Sequence, residues 1–145
     1  MTPSLAGGCL CGAIRYTVSA PIAGLRACHC TDCQKASGAG GSVNAVIARQ
    51  ALTIEKGTPE RYAGVAASGR TLCRYFCGDC GSPLYSHRET APDILILRAG
   101  TLDQSPAGLK ITMHIWTASA RSWSWMDPAI EQHPGQQPAP PAARQ

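Results

Sequence analysis

The chain has 145 residues and a formal charge of +4, enough for one domain with its own core but without the basic runs that typify nucleic-acid-binding arms. Its 15 Gly and 11 Pro are typical of turns and short strands, and no apolar run approaches the roughly 20 residues needed to cross a bilayer. Residues 1–8 lack the basic start and apolar centre of a signal peptide. These features exclude a membrane-spanning helix, disfavour a nucleic-acid partner and predict a cytoplasmic location.

Short strands dominate the predicted elements. The first covers residues 13–19, where every second side chain is apolar and should face a core: Ile14, Tyr16 and Val18. Thr31 is predicted to cap one helical turn, which the glycine-rich stretch at 37–41 ends. Further strands are predicted at 42–47, 52–55, 60–62, 71–76, 83–87, 94–98 and 109–115, with loops at 63–69 and 99–103.

Seven of the eight cysteines fall into three closely spaced groups: Cys9 and Cys11; Cys28, Cys30 and Cys33; Cys77 and Cys80. Thiols at such spacing are typical of metal ligands, and eight cysteines without an export signal predict reduced thiols rather than disulfides. Residues two apart on a strand point to the same side, so each Cys-x-Cys pair can face one ion while His29 points away. Zinc is the predicted metal.

The spacing alone leaves the partition of the ligands open. Four cysteines close a structural zinc site and three leave one position free, which fits Cys9, Cys11, Cys77 and Cys80 beside Cys28, Cys30 and Cys33. A zinc-ribbon arrangement would instead combine Cys30, Cys33, Cys77 and Cys80. A rubredoxin-like iron, an iron–sulfur cluster or a set of buried free thiols are further alternatives.

Three motifs resemble the glutathione-dependent formaldehyde-activating (GFA)/CENP-V family: residues 8–16 with the first cysteine pair, 28–38 with the triplet and 76–82 with the last pair. The loop at 100–103 and the later tryptophans are also similar, so the resemblance covers residues 7–133. It implies a mainly β fold of the Mss4-like kind, built of short twisted sheets stapled by zinc.

The resemblance further implies both ligand sets and the reaction. In the family the Cys-x-Cys and the last Cys-x-x-Cys share a structural zinc, here Cys9, Cys11, Cys77 and Cys80. The triplet holds a catalytic zinc, here Cys28, Cys30 and Cys33, which makes two Zn²⁺ per chain. The family's activity joins glutathione to formaldehyde, giving S-(hydroxymethyl)glutathione, so a small-molecule thiol and an aldehyde are the expected partners.

Metal-bound thiols ionise readily, which makes carbon–sulfur lyase chemistry at an open three-cysteine site physically reasonable. Because glutathione is anionic, a basic side chain close to the ligand motifs should hold its carboxylates. Lys35 and Arg74 are the candidates for that role, Lys35 as a possible catalytic residue. Two other functions would use the same cysteines: a non-catalytic zinc module that binds protein or nucleic acid, and a thiol redox or metal sensor.

The remaining aromatic and thiol residues have ordinary structural interpretations. Cys73 should pack in the core, and His29 should lie beside the ligands or face solvent rather than bind metal. Surface or hydrogen-bonded roles are expected for His87 and His114, and the three tryptophans are expected to cap the core. We predict one zinc-binding domain over residues 1–133 and a Pro-rich disordered tail over 134–145. No oligomeric state is predicted.

Overall fold

The computed structural model describes residues 4–137, which form two β-sheets and one α-helix. In chain order the elements are β1 (Leu5–Gly8), β2 (Arg15–Val18), β3 (Leu25–Cys28), α1 (Thr31–Ser37), β4 (Ser42–Ala48), β5 (Leu52–Lys56), β6 (Glu60–Val65), β7 (Thr71–Phe76), β8 (Pro83–Arg88), β9 (Ala91–Arg98), β10 (Ile111–Ile115) and β11 (Glu131–Gln132). The mainly β class predicted from the sequence is therefore confirmed.

The strands pair mostly in antiparallel fashion. The small sheet has the order β1-β2-β5, and the large sheet has the order β11-β10-β3-β4-β9-β8-β7-β6. Strand β10 is parallel to both of its neighbours, β3 and β11. The parallel pairing with β3 matters for the site, because it places Ile115 opposite Cys28.

The core lies between the two sheets. Alternation in β2 buries the predicted apolar side chains, with Ile14, Tyr16 and Val18 only 2%, 1% and 0% exposed. Leu95 and Leu97 of β9 pack in the same cluster from the large sheet. Each such side chain stabilises the fold by roughly 1.5–3 kcal/mol when it is fully buried. One face of the large sheet is therefore covered by the core. The opposite face, which carries more polar side chains, lines a cleft.

Helix α1 begins one residue earlier than the sequence suggested. Its N-cap is Cys30, whose sulfur accepts a hydrogen bond from the Cys33 backbone N–H at 3.3 Å, so the prediction of a Thr31 cap is wrong. The helix ends at Gly38, which takes the left-handed conformation (φ 72°) that favours glycine. A thiol can accept a backbone hydrogen bond as a hydroxyl does, and here the capping bond links Cys30 to Cys33.

The predicted loop at 63–69 is shorter than expected. Strand β6 runs to Val65, and a tight turn over 66–69 then joins it to β7, with the Ala66 N–H donating to the Arg70 carbonyl at 2.8 Å. The backbone N–H of Ala67 donates to Asp32 Oδ2 at 2.6 Å. This bond fastens the turn to helix α1 across the cleft.

The prediction that the tryptophans cap the core is wrong for two of them. Trp123 and Trp125 are 69% and 79% exposed, because the segment around them contains no strand that would fold them inward. Trp116 is half-buried and packs against the cysteine triplet. No helix among the described residues is long and apolar enough to cross a membrane.

The predicted tail over 134–145 falls largely outside the described residues, which end at 137. At its start, the carbonyl groups of Pro134 and Gly135 accept backbone hydrogen bonds from Ala118 and Trp116, at 3.3 and 3.0 Å. The division into a domain over 1–133 and a tail stays a prediction.

Candidate metal centres and cleft

Four cysteines converge where the two sheets meet. Cys9 and Cys11 follow β1, and Cys77 and Cys80 follow β7; all four sulfur atoms lie within 4.8 Å of one another. The Cys9 and Cys11 sulfurs are 3.6 Å apart, and those of Cys11 and Cys77 are 3.8 Å apart. We call this group the four-cysteine cluster.

The geometry of the four-cysteine cluster fits zinc. A tetrahedral ZnS₄ site with Zn–S bonds of about 2.3 Å has sulfur–sulfur edges of about 3.8 Å. The Ile14 backbone N–H donates to Cys9 Sγ at 3.2 Å, as is common for thiolate ligands. Hydrogen bonding from the Ser82 hydroxyl, assisted by backbone N–H groups, lowers the pKa of the Cys80 thiol to about 5. The cluster is therefore prepared to present thiolates to a soft cation.

The second group is the three-cysteine cluster of Cys28, Cys30 and Cys33, whose sulfurs also lie within 4.8 Å of one another. Cys28 ends β3, Cys30 caps helix α1 and Cys33 lies in its first turn. All three are buried, at 7%, 9% and 8% exposure. The structure does not bring Cys30 and Cys33 to Cys77 and Cys80, so the zinc-ribbon alternative has no geometric basis.

Crowding in the three-cysteine cluster opposes the ionisation of all three thiols together. Hydrogen bonds from the Cys28 and Cys30 thiols lower the pKa of Cys33 to about 2, while contact with Cys30 and Cys33 raises the pKa of Cys28 above its usual value. The three groups can thus ionise together only if a cation sits among them. Zinc, with its preference for thiolate ligands, fits this donor set. Among the described residues no fourth His, Cys, Asp or Glu joins the group, which leaves one position open.

His29 lies inside the protein next to the triplet. It is 7% exposed, and its Nε2 hydrogen-bonds His114 Nδ1 at 2.9 Å. His114 is itself 4% exposed, so of the two roles expected for each residue the structure supports the buried, hydrogen-bonded one and not the surface one. Strand β10 carries His114 to this position by its parallel pairing with β3, a long-range contact that no local pattern indicates. His29 is not part of the three-cysteine cluster.

A cleft opens over the polar face of the large sheet and reaches the three-cysteine cluster. Its volume is about 800 Å³ when the part that is open to solvent is included. Its apolar wall includes Val46, Leu72 and Ile96. Five arginines line it: Arg26, Arg70, Arg74, Arg88 and Arg98. Among the described lining residues Asp32 is the sole acid, and its carboxylate is engaged by Ala67.

Arg98 is the most firmly held of these arginines. Its Nη1 donates to Asn44 Oδ1 at 2.9 Å and to the Ile96 carbonyl at 3.3 Å, and its Nη2 donates to Ser86 Oγ at 3.4 Å. Burial lowers the pKa of Arg98, whereas the negative charge of a nearby Cys33 thiolate raises it. A fixed cation therefore stands close to the triplet. Because side chains alternate along β9, Arg98 points away from the core, on the other side of the strand from its buried leucines. The sequence indicates this alternation but not the residues that Arg98 contacts.

Lys35 and Arg74, the two basic residues predicted to hold a substrate carboxylate, lie in different surroundings. Lys35 is exposed on helix α1 and does not line the cleft, because the helix turns that face to solvent. Arg74 does line the cleft, and its Nε is buried without a hydrogen-bond partner among the described residues. Cys73 is 1% exposed, as expected for core packing, and accepts a hydrogen bond from Arg61 at 3.2 Å. His87 is buried and bonded to Tyr75 at 3.1 Å.

The family model for "Glutathione-dependent formaldehyde-activating enzyme" matches residues 4–119, which contain both cysteine clusters. The chain belongs to this family. The family resemblance seen in the sequence motifs is thereby confirmed.

Two relatives carry the name "Putative glutathione-dependent formaldehyde-activating enzyme". The one from Penicillium rubens is 32% identical over 91 residues, 59% of this chain, which spans only 47% of that protein's length. The one from Halomonas elongata is 25% identical over 123 residues, 82% of this chain and 78% of the relative. A crystal structure of a Rhodobacter sphaeroides protein shares the fold, with a TM-score of 0.57 and 20% identity over 74% of this chain and 100% of that one.

Proposed function

We propose that the protein is a zinc-dependent carbon–sulfur lyase of the GFA type, which joins a small thiol such as glutathione to formaldehyde or a related small aldehyde. The observation that carries the proposal is the three-cysteine cluster, which has one open ligand position at the base of an arginine-lined cleft. Family membership supports the same reaction class. The proposed location is the cytoplasm, because eight unpaired thiols need a reducing compartment.

Two zinc ions are proposed per chain. The four-cysteine cluster would hold the structural ion and the three-cysteine cluster the catalytic one. When bound, the catalytic zinc would lower the pKa of a substrate thiol so that it is ionised at neutral pH. A fully ligated structural site needs no substrate, whereas three ligands leave room for one.

The chain's own residues would supply charge balance and positioning. Three thiolates with one Zn²⁺ carry a net charge of −1, and Arg98, fixed by Asn44 and Ser86, offers the compensating positive charge. The unpartnered Nε of Arg74 offers a hydrogen-bond donor for a substrate carboxylate. The apolar wall formed by Val46, Leu72 and Ile96 would keep water from the aldehyde.

The reaction balances without a redox partner. The S–H bond of the thiol breaks and a carbon–sulfur bond forms at the aldehyde carbon. The electron pair of the C=O double bond moves to oxygen, which receives the proton and becomes a hydroxyl group. The product is a hemithioacetal, which with formaldehyde carries an S-hydroxymethyl group, and the reverse reaction releases the aldehyde.

The test combines metal content with rate. Wild type should contain two zinc ions per chain and should exchange glutathione and formaldehyde with S-(hydroxymethyl)glutathione faster than buffer alone, measured by NMR exchange spectroscopy. Cys30→Ser should retain one zinc and lose the rate enhancement. The matched control is Cys73→Ser, which changes a buried cysteine outside both clusters and should keep both properties.

A zinc-loaded wild type that gives no rate enhancement with any small thiol would overturn the proposal. If it also showed salt-dependent binding to nucleic acid, the result would favour a non-catalytic zinc module. Reversible zinc release on mild oxidation would favour a redox sensor.

A further inference from the structure

Three of the cleft arginines form a group that the proposed reaction does not use. Arg26 lies on β3, Arg70 immediately precedes β7 and Arg88 ends β8. Burial, with added repulsion from the charges of Arg70 and Arg26, lowers the pKa of Arg88. Strands β3 and β8 and the turn before β7 thus bring three guanidinium groups to the same cleft; we call them the arginine triad.

The arginine triad has no counter-ion within residues 4–137. The ion pairs recorded there are Arg15 with Asp103 and His133 with Glu131, both outside the cleft. Within residues 4–137 no triad side chain donates a hydrogen bond to the protein, in contrast to Arg98. The carboxylate of Asp32 accepts from Ala67 rather than from an arginine. The triad therefore carries uncompensated positive charge into a partly buried space.

An anion that binds within such a group relieves the repulsion between its charges. Like charges at short distance repel, and the low dielectric of a cleft strengthens that repulsion. A guanidinium presents paired N–H donors that match carboxylate and phosphate oxygens. Three of them around one space fit a group with two negative charges better than a single carboxylate.

The position of the triad connects it with the thiol site. Arg26 precedes Cys28 by two residues on β3, so both side chains lie on one face of the sheet, about 7 Å apart along the strand. A single small molecule can reach both. Asp32 is the sole acidic lining residue described, so positive charge predominates in the cleft between the triad and the thiol site.

We propose that Arg26, Arg70 and Arg88 bind a dianionic group, a phosphate or a pair of neighbouring carboxylates, carried by the substrate thiol. The inference rests on the proposed function and narrows it: the preferred thiol bears a doubly charged anionic end. Glutathione, whose two carboxylates are separated, is then a weaker substrate than a thiol of that class.

Binding of thiol-free anions tests the triad independently of any reaction. Isothermal titration with inorganic phosphate and with malonate, at constant ionic strength, should show binding of at least one of them to the zinc-loaded protein. Arg70→Gln and Arg88→Gln should each weaken it by about tenfold or more, since a charge-assisted hydrogen bond is lost. Arg70 is exposed, so its variant should fold. Lys56→Gln, which removes an exposed charge on β5, should leave binding unchanged.

Thiol pairs test the link to the substrate. 4′-Phosphopantetheine should exceed pantetheine in kcat/KM with formaldehyde if the dianion is a phosphate, and mercaptosuccinate should exceed 2-mercaptoethanol if it is a dicarboxylate. In Arg88→Gln the favoured ratio should fall by about tenfold. Equal kcat/KM within both pairs would refute the inference while leaving the proposed reaction intact. Anion binding that depends on the triad, without reaction of any thiol, would refute the reaction and the substrate assignment together.

Discussion

Loss of one ligand from each cysteine cluster should have very different effects on stability. Cys11 and Cys77 are 66 residues apart in the chain, so a metal held by the four-cysteine cluster closes a long loop and joins the two sheets. In the chain-entropy description of a cross-link, a loop of that length is worth about 4 kcal/mol. Cys28 and Cys33 are only five residues apart. The same relation gives about 2 kcal/mol for that short loop.

Cys77→Ser should therefore lower the free energy of unfolding by about 4 kcal/mol, and Cys30→Ser by no more than about 2 kcal/mol. The serine of Cys30→Ser also keeps an N-cap, because a hydroxyl oxygen can accept the Cys33 N–H as the sulfur does. Cys77 is 1% exposed, so Cys77→Ser additionally buries a hydroxyl. The difference of about 2 kcal/mol corresponds to a gap of roughly 4–8 °C in Tm for a domain of this size.

The measurement is urea unfolding of both zinc-loaded variants at pH 7, followed by far-UV circular dichroism, with zinc per chain determined by mass spectrometry. Each variant should retain one zinc. Cys73→Ser, at a cysteine outside both clusters, controls for the chemical change itself. An equal or larger loss of stability in Cys30→Ser would refute the assignment of the long-range cross-link to the four-cysteine cluster.

Three further predictions concern the core, the backbone and the buried histidines. Leu97→Ala should cost about 2–5 kcal/mol in urea unfolding, because Leu97 is 0% exposed, whereas Ile94→Ala, at a side chain 51% exposed, should cost much less. Gly41→Ala should cost about 1–3 kcal/mol and weaken zinc binding, because a Cβ there would overlap the Cys28 carbonyl oxygen; Gly100→Ala, with open space, is the control, and equal stability of the two would contradict the steric argument. Burial lowers the pKa of His114 below 6.5, so its stabilising effect is present above that pH and declines as the pH falls through it. Between pH 7.5 and pH 5.5 the free energy of unfolding should then decrease more in wild type than in His114→Gln. Equal decreases in the two proteins would argue against a depressed pKa of His114.

Local patterns predicted much of the fold. Alternation of apolar side chains identified β2, and the observed β7 has the bounds predicted for it, because a strand with one buried face imposes a period of two on its own residues. The helix cap at Cys30 was missed, since the usual preference for Thr does not take account of a thiol held beside other thiols. The tryptophans were misplaced for a related reason: aromatic content predicts burial only where the surrounding chain folds inward.

The sequence by itself determined which residues are ligand candidates, because close spacing of cysteines is a local property of the chain. Only the tertiary structure decided how they group: strand pairing brings Cys9 and Cys11 to Cys77 and Cys80 and leaves Cys28, Cys30 and Cys33 as a separate set. The same holds for the cleft, where strands distant in sequence and the turn before β7 bring five arginines together. Scattered basic residues carry no local signal, since the register between strands, not spacing along the chain, determines which charges meet.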